Sequence, residues 1–121
     1  MAVKVRSLKI RSATGQPRAI PLQVTIADTF FTRLVGLLSR KSLSDDEGLL
    51  LSPCASIHTI GMRFPIDVLF LDKQNKVIAV SDSVESNKIR KAPRHTHKVL
   101  EIAQGNRIRT GINLDDYLIF D

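Results

Sequence analysis

The chain has 121 residues, enough to bury roughly two-thirds of its unfolded surface without a disulfide or metal staple. Hydrophobic residues make up 43% and charged residues 25%, an ordinary globular balance that excludes a disordered or fibrous polymer. Lys and Arg number 18 against 12 Asp and Glu, for a net charge of +6, which favours acidic partners or surfaces and says nothing about fold.

A single cysteine excludes an intramolecular disulfide framework. The opening, MAVKVRSLKIRSATG, alternates charged and apolar residues and lacks the continuous apolar core of a signal peptide. No run approaches the ~20 apolar residues of a membrane span. The expectation is one domain, residues 1–121, in the reducing cytoplasm with no membrane contact.

In chain order, Val3, Val5, Leu8 and Ile10 alternate with Lys4, Arg6 and Lys9, which predicts a half-solvated strand with a slip at Ser7. Thr14–Arg18 is turn chemistry, punctuated by Gly15 and Pro17. Ile20, Leu22, Val24 and Ile26 alternate cleanly as a second strand, and the two runs form a hairpin. Asp28 or Thr29 then caps a predicted helix whose stripe is Phe30, Phe31, Leu34, Leu37 and Leu38. Gly36 costs that helix ~1 kcal/mol relative to Ala, a cost that close packing on a sheet explains. Ser44–Gly48 reads as an acidic loop.

The remainder predicts short strands: Leu49–Leu51, Ile57–Ile60, Ile66–Leu71, Val77–Ser81, Val99–Ala103 and Tyr117–Phe120. Asp72–Lys76 is a hairpin turn by composition. Many short strands and one helix predict a mainly β fold: a small β-barrel or β-sandwich with one α-helix packed on it.

Chemistry-bearing side chains concentrate between Cys54 and Asp72. Cys54, His58 and Met62 are soft-metal ligand types at spacings of four and four. On a strand, residues four apart share a face but sit ~13 Å apart, too far for one ion. The expectation is therefore no metal and no cofactor, with Cys54 and Met62 as core fillers. The same spacing separates Cys54 from His58 as a nucleophile and base, and no oxyanion-stabilising loop is evident.

Asp67 interrupts the apolar run PIDVLFL, on the strand face of Pro65, Leu69 and Leu71. A carboxylate there must be paired or hydrogen-bonded. Arg33 and Arg63 are its expected partners, in a structural ion pair or as the floor of a polar pocket. Glu101, in VLEIA, poses the same question. The segment Ser86–Lys98 carries Lys88, Arg90, Lys91, Arg94 and Lys98, with His95 and His97. Such a run tracks phosphates. It has no interleaved aromatic platform, and a solvated basic loop is the plainer reading.

Several stretches together resemble a known family. They are FFTRLVGLL (Phe30–Leu38), GLLL (Gly48–Leu51), CASIHTIGMRFPIDVLFLD (Cys54–Asp72) and VLEIAQG (Val99–Gly105). The family is domain of unknown function 192, and the resemblance runs over nearly the whole chain. It implies a small β-rich barrel or sandwich with one helix and implies no activity. Many members carry a Trp-Met-Lys-Asn-Thr run where this chain has His58–Met62; Pro65, Asp67 and Phe70 follow both patterns. The resemblance therefore favours Arg33 and Asp67 over Cys54, His58 and Met62 as shared candidates.

The leading expectation is a non-enzymatic binding or accessory protein with a polar pocket around Asp67, taking a protein or small-molecule ligand. Its candidate residues are Arg33, His58, Thr59, Arg63, Asp67 and Glu101; no catalytic residue is assigned. The alternatives are weak nucleic-acid contact through Lys88–Lys98, and an enzyme or soft-metal protein using Cys54 and His58.

Overall fold

A computed structural model describes residues 4–27, 43–53, 56–58, 64–85 and 89–121. In chain order the elements are β1 (Lys4–Arg11), β2 (Arg18–Ala27), β3 (Glu47–Leu51), β4 (Ser56–His58), β5 (Ile66–Leu71), β6 (Val77–Val84), β7 (Ile89–Lys91), β8 (Lys98–Ala103), α1 (Asn106–Thr110) and β9 (Tyr117–Phe120). Seven strands form one sheet in the order β6-β5-β8-β3-β2-β1-β9, and β4 and β7 form a separate pair. The sheet curls into a half-barrel with α1 packed on it. Its two outer strands approach one another at an isolated bridge between Lys76 and Tyr117.

Alternation in the sequence becomes two faces of the sheet. Leu8, Ile10, Ile20, Leu22, Val24, Leu50, Leu69, Leu71, Leu100 and Ile102 belong to one buried cluster, joined by Ile112 and Leu118. Ala27, Leu49, Leu51, Ile66, Val68, Phe70, Val84 and Val99 form a second cluster on the other face. Each fully buried aliphatic side chain contributes about 1.5–3 kcal/mol. β5 and β8 lie between other strands and are covered on both faces, which is why they read as near-continuous apolar runs. Gly48 fits where the strands press together: an added Cβ would stand 3.4 Å from the Val24, Leu100 and Ile102 side chains.

The β1–β2 hairpin is antiparallel, with a register shift between Ser7 and Leu8 where the slip is expected. β5 and β9 occupy their predicted residues, and β6 runs three residues further than predicted, to Val84. The Asp72–Lys76 turn is held by its first residue, whose Oδ1 accepts from the Gln74 and Lys76 backbone N–H groups at 2.9 and 3.0 Å.

Three differences have physical reasons. β2 pairs with β3 in parallel, so the chain between them must cross over; the expected helix in that connection, from Asp28 onward, lies outside the described residues. Ser86–Lys98 is not one solvated loop: Ile89–Lys91 pairs with Ser56–His58, and Lys98 opens β8. Charged residues are common on a strand with a solvated face, so composition hides it. Finally, α1 has no apolar stripe of its own and was not predicted; tertiary hydrogen bonds hold it.

A buried carboxyl on each face of the sheet

Asp67 and Glu101 are the two buried acids of the described residues, 1% and 5% exposed. They sit on adjacent strands. Asp67 is opposite Ile102 and Glu101 is opposite Val68, so the two carboxyls point to opposite faces and cannot line one pocket.

Asp67 shares its face with Leu69 and Leu71. Its Oδ1 accepts from the Ser83 backbone N–H at 2.9 Å, and its Oδ2 from the Arg107 backbone N–H at 3.0 Å. Arg107 is the second residue of α1, whose N-cap, Gly105, makes no side-chain cap. Asp67 therefore caps the helix from a neighbouring strand, satisfying an N–H that the helix leaves without a partner. Among the described residues, the partners of this carboxylate are the backbone amides of Ser83 and Arg107. Arg33 and Arg63, the partners expected from sequence, lie outside the described residues.

The surrounding hydrogen bonds fix α1 at this end of the sheet. Arg107 Nε and Nη2 grip the two carboxylate oxygens of Asp82 at 2.6 and 2.7 Å, and Nη1 donates to the Ile112 carbonyl at 3.2 Å. That fork holds the Asp82 carboxyl below its usual range. Asn106 and Arg109 both donate to the Asp45 carbonyl, at 2.9 and 2.8 Å. Arg18 donates to the Thr110 and Gly111 carbonyls at 3.0 and 3.2 Å. Asp67 thus ties the start of α1 to β5 and to Ser83 of β6.

Glu101 differs. It lies in β8, between β3 and β5, with Leu49 opposite on one side and Val68 on the other. The row it belongs to runs Thr25–Leu49–Glu101–Val68–Ser81. The next row runs Ala27–Leu51–Val99–Phe70–Ala79. Glu47 lies two residues before Leu49 on the same face, a diagonal step of roughly 7–8 Å from Glu101. Its carboxylate accepts from the Ser44 hydroxyl. Among the described residues no hydrogen-bond donor or cation partners the Glu101 carboxyl. Burial pushes its pKa up to about 7, because desolvation disfavours the charged form.

The other candidate residues are placed as follows. His58 ends β4, with its backbone opposite Ile89. Thr59, Cys54 and Met62 lie outside the described residues, so the Cys54–His58 and soft-metal readings receive no geometry. Among the described residues no group of three or more His, Cys, Asp or Glu side chains could hold a metal ion. Within the basic segment, Lys98 donates to Asn75 Oδ1 at 2.6 Å, Arg94 is exposed, and the Thr96 hydroxyl is buried without a partner. No helix among the described residues is long and apolar enough to cross a membrane. Sequence reasoning did not find Glu47, whose position beside Glu101 follows only from the β3–β8 register.

Comparison with known proteins agrees with the architecture. The model of the family described as DUF192, Uncharacterized ACR, matches residues 10–120. A putative transcription regulator from Sinorhizobium meliloti 1021 superposes with a TM-score of 0.85 at 20% identity, over 99% of this chain and 96% of that one. A protein of unknown function from Novosphingobium aromaticivorans DSM 12444 superposes with a TM-score of 0.80 at 22% identity, over 95% of this chain and 84% of that one. At these identities the likeness is one of fold. No curated protein matches the chain.

Proposed function

The chain belongs to the domain of unknown function 192 family, and on that footing we propose that it is a non-enzymatic binding or accessory protein whose recognising group is the Glu101 carboxyl. One observation carries this reading: a carboxyl 5% exposed, in the middle of a sheet face, without a partner among the described residues. Folding normally pairs such a group, because leaving it bare costs several kcal/mol. A ligand or partner presenting a donor would recover that cost.

The recognising acid is Glu101 rather than Asp67, since Asp67 already accepts two backbone hydrogen bonds. The protein works as one domain in the cytoplasm, a location supported by its lone cysteine. Nucleic-acid contact through Lys88–Lys98 has less support, because Lys98 is already engaged by Asn75.

Native mass spectrometry of the purified protein tests the reading. We expect a non-covalent adduct that is lost on denaturation and absent from a folded Glu101→Gln variant. An adduct retained unchanged by that variant, or no adduct together with no thermal shift across a broad compound panel, would defeat it.

A further inference from the structure

We propose that the β1–β2 hairpin is a contact surface for single-stranded nucleic acid. This surface does not involve Glu101, and either site can hold without the other. The observation behind it is where the charge of the chain lies. Residues 1–27 hold Lys4, Arg6, Lys9, Arg11 and Arg18 and no Asp or Glu, so five of the six net charges belong to this hairpin. Lys4, Arg6, Lys9 and Arg18 are exposed. An excess of one sign on an open surface is the electrostatic footprint of a polyanion site.

Strand geometry places these cations on two sides. Residues two apart share a face and lie about 7 Å from one another. Lys9 and Arg11 stand on the outer face, opposite Ile119 and Tyr117. Lys4 and Arg6 stand on the face of Leu8 and Ile10, opposite Ile26 and Val24. They extend past Ser7, where Asp121 completes the β1–β9 ladder. A flat anionic bilayer would meet one side of β1 only. A flexible linear polyanion can pass around the end of the sheet and meet both.

The local partners of these cations leave them usable. Lys9 meets Asp121 at 3.2 Å with both side chains half-exposed, and such a surface pair is weak in water. Arg18 donates through Nη2 to the Thr110 and Gly111 carbonyls, which leaves its charge unneutralised. The Arg11 guanidinium lies 4.9 Å from the centre of the Tyr117 ring. A guanidinium stacked on an aromatic ring is a planar platform that a base can extend. That stack favours nucleic acid over an anion without bases, and a strand with unpaired bases over a duplex.

Fluorescence anisotropy of the full chain with a labelled single-stranded RNA of mixed sequence tests this, with its duplex, inorganic polyphosphate and phosphatidylserine vesicles as competitors. We expect affinity to fall with salt on a logarithmic slope of roughly −2 to −3, the value for three or four phosphates neutralised on a single strand. Arg6→Gln and Lys9→Gln, both at exposed positions, should each flatten that slope by roughly 0.7. Arg94→Gln removes an equal charge from the other basic segment and should leave the slope unchanged. Polyphosphate should compete at least about fivefold less well than unlabelled RNA, the margin that one stacked base supplies. Should a hairpin variant misfold, competition on the unsubstituted chain still decides. Absence of salt-dependent RNA binding, equal flattening in Arg94→Gln, or polyphosphate competing as well as RNA would overturn the proposal. So would stronger competition from the duplex or the vesicles than from the single strand.

Discussion

Asp67 and Glu101 stand one register step apart on neighbouring strands and face opposite sides of the same sheet. One carboxylate holds two backbone amides. The other is buried without a partner among the described residues. The two acids share a residue class and a degree of burial, and the sheet turns them to opposite faces.

Removing the Asp67 side chain should destabilise the fold. Asp67→Ala leaves the Ser83 and Arg107 N–H groups, both part-buried, without their acceptor, and a donor left unsatisfied costs up to about 1–3 kcal/mol. The expected loss is roughly 2–5 kcal/mol in urea unfolding. Hydrogen exchange should show α1 opening first. A variant as stable as the parent would refute the capping role.

Replacing Glu101 should flatten the dependence of stability on pH. Its folded pKa is raised from 4.5 to about 7, so between these values the folded state holds the proton that the unfolded state releases. The stabilisation is complete below about pH 4.5, falls as pH rises, and is gone above about pH 7. Over that window the parent should lose on the order of 3 kcal/mol relative to Glu101→Gln. Unfolding curves of both proteins from about pH 4 to pH 8 give the difference directly; parallel curves would contradict the buried, unpaired assignment.

The Asp82–Arg107 pair should contribute modestly. The Arg107 fork lowers the Asp82 pKa, so the stabilisation is present above the ordinary 3.8 and disappears as pH falls through the lowered value. Asp82 is 35% exposed, and solvent screening limits such a pair to about 1 kcal/mol. Arg107→Ala should cost more than Asp82→Asn, because Arg107 also donates to the Ile112 carbonyl. A double-mutant cycle separates the two contributions.

The two glycines flanking α1 should respond unequally to alanine. Gly105 and Gly111 have φ of 86° and 75°, each straining an L side chain by about 1 kcal/mol. An added Cβ at Gly105 meets nothing within 4 Å, whereas at Gly111 it would stand 2.8 Å from Arg18 Nη2. That guanidinium donates to the Thr110 and Gly111 carbonyls. Gly111→Ala should therefore lower the unfolding midpoint more than Gly105→Ala, and equal shifts would show that Arg18 moves aside freely.

Local chemistry in the sequence determined the strands and their faces. Alternation at Ile20, Leu22 and Val24 marked the buried side of β2, and the slip at Ser7 appeared as a register shift. An acid inside PIDVLFL required a buried acceptor with partners, because hydrocarbon cannot solvate a carboxylate. What that acceptor bonds was decided by tertiary structure: α1 begins 39 residues after Asp67 and brings its N–H to the carboxylate only once folded. Whether Asp67 and Glu101 share a face was likewise settled by β5–β8 pairing, since side chains alternate with a period of two and a shift of one residue reverses the answer. No local pattern records that register; it is set by the simultaneous fit of both apolar faces across strands distant in the chain.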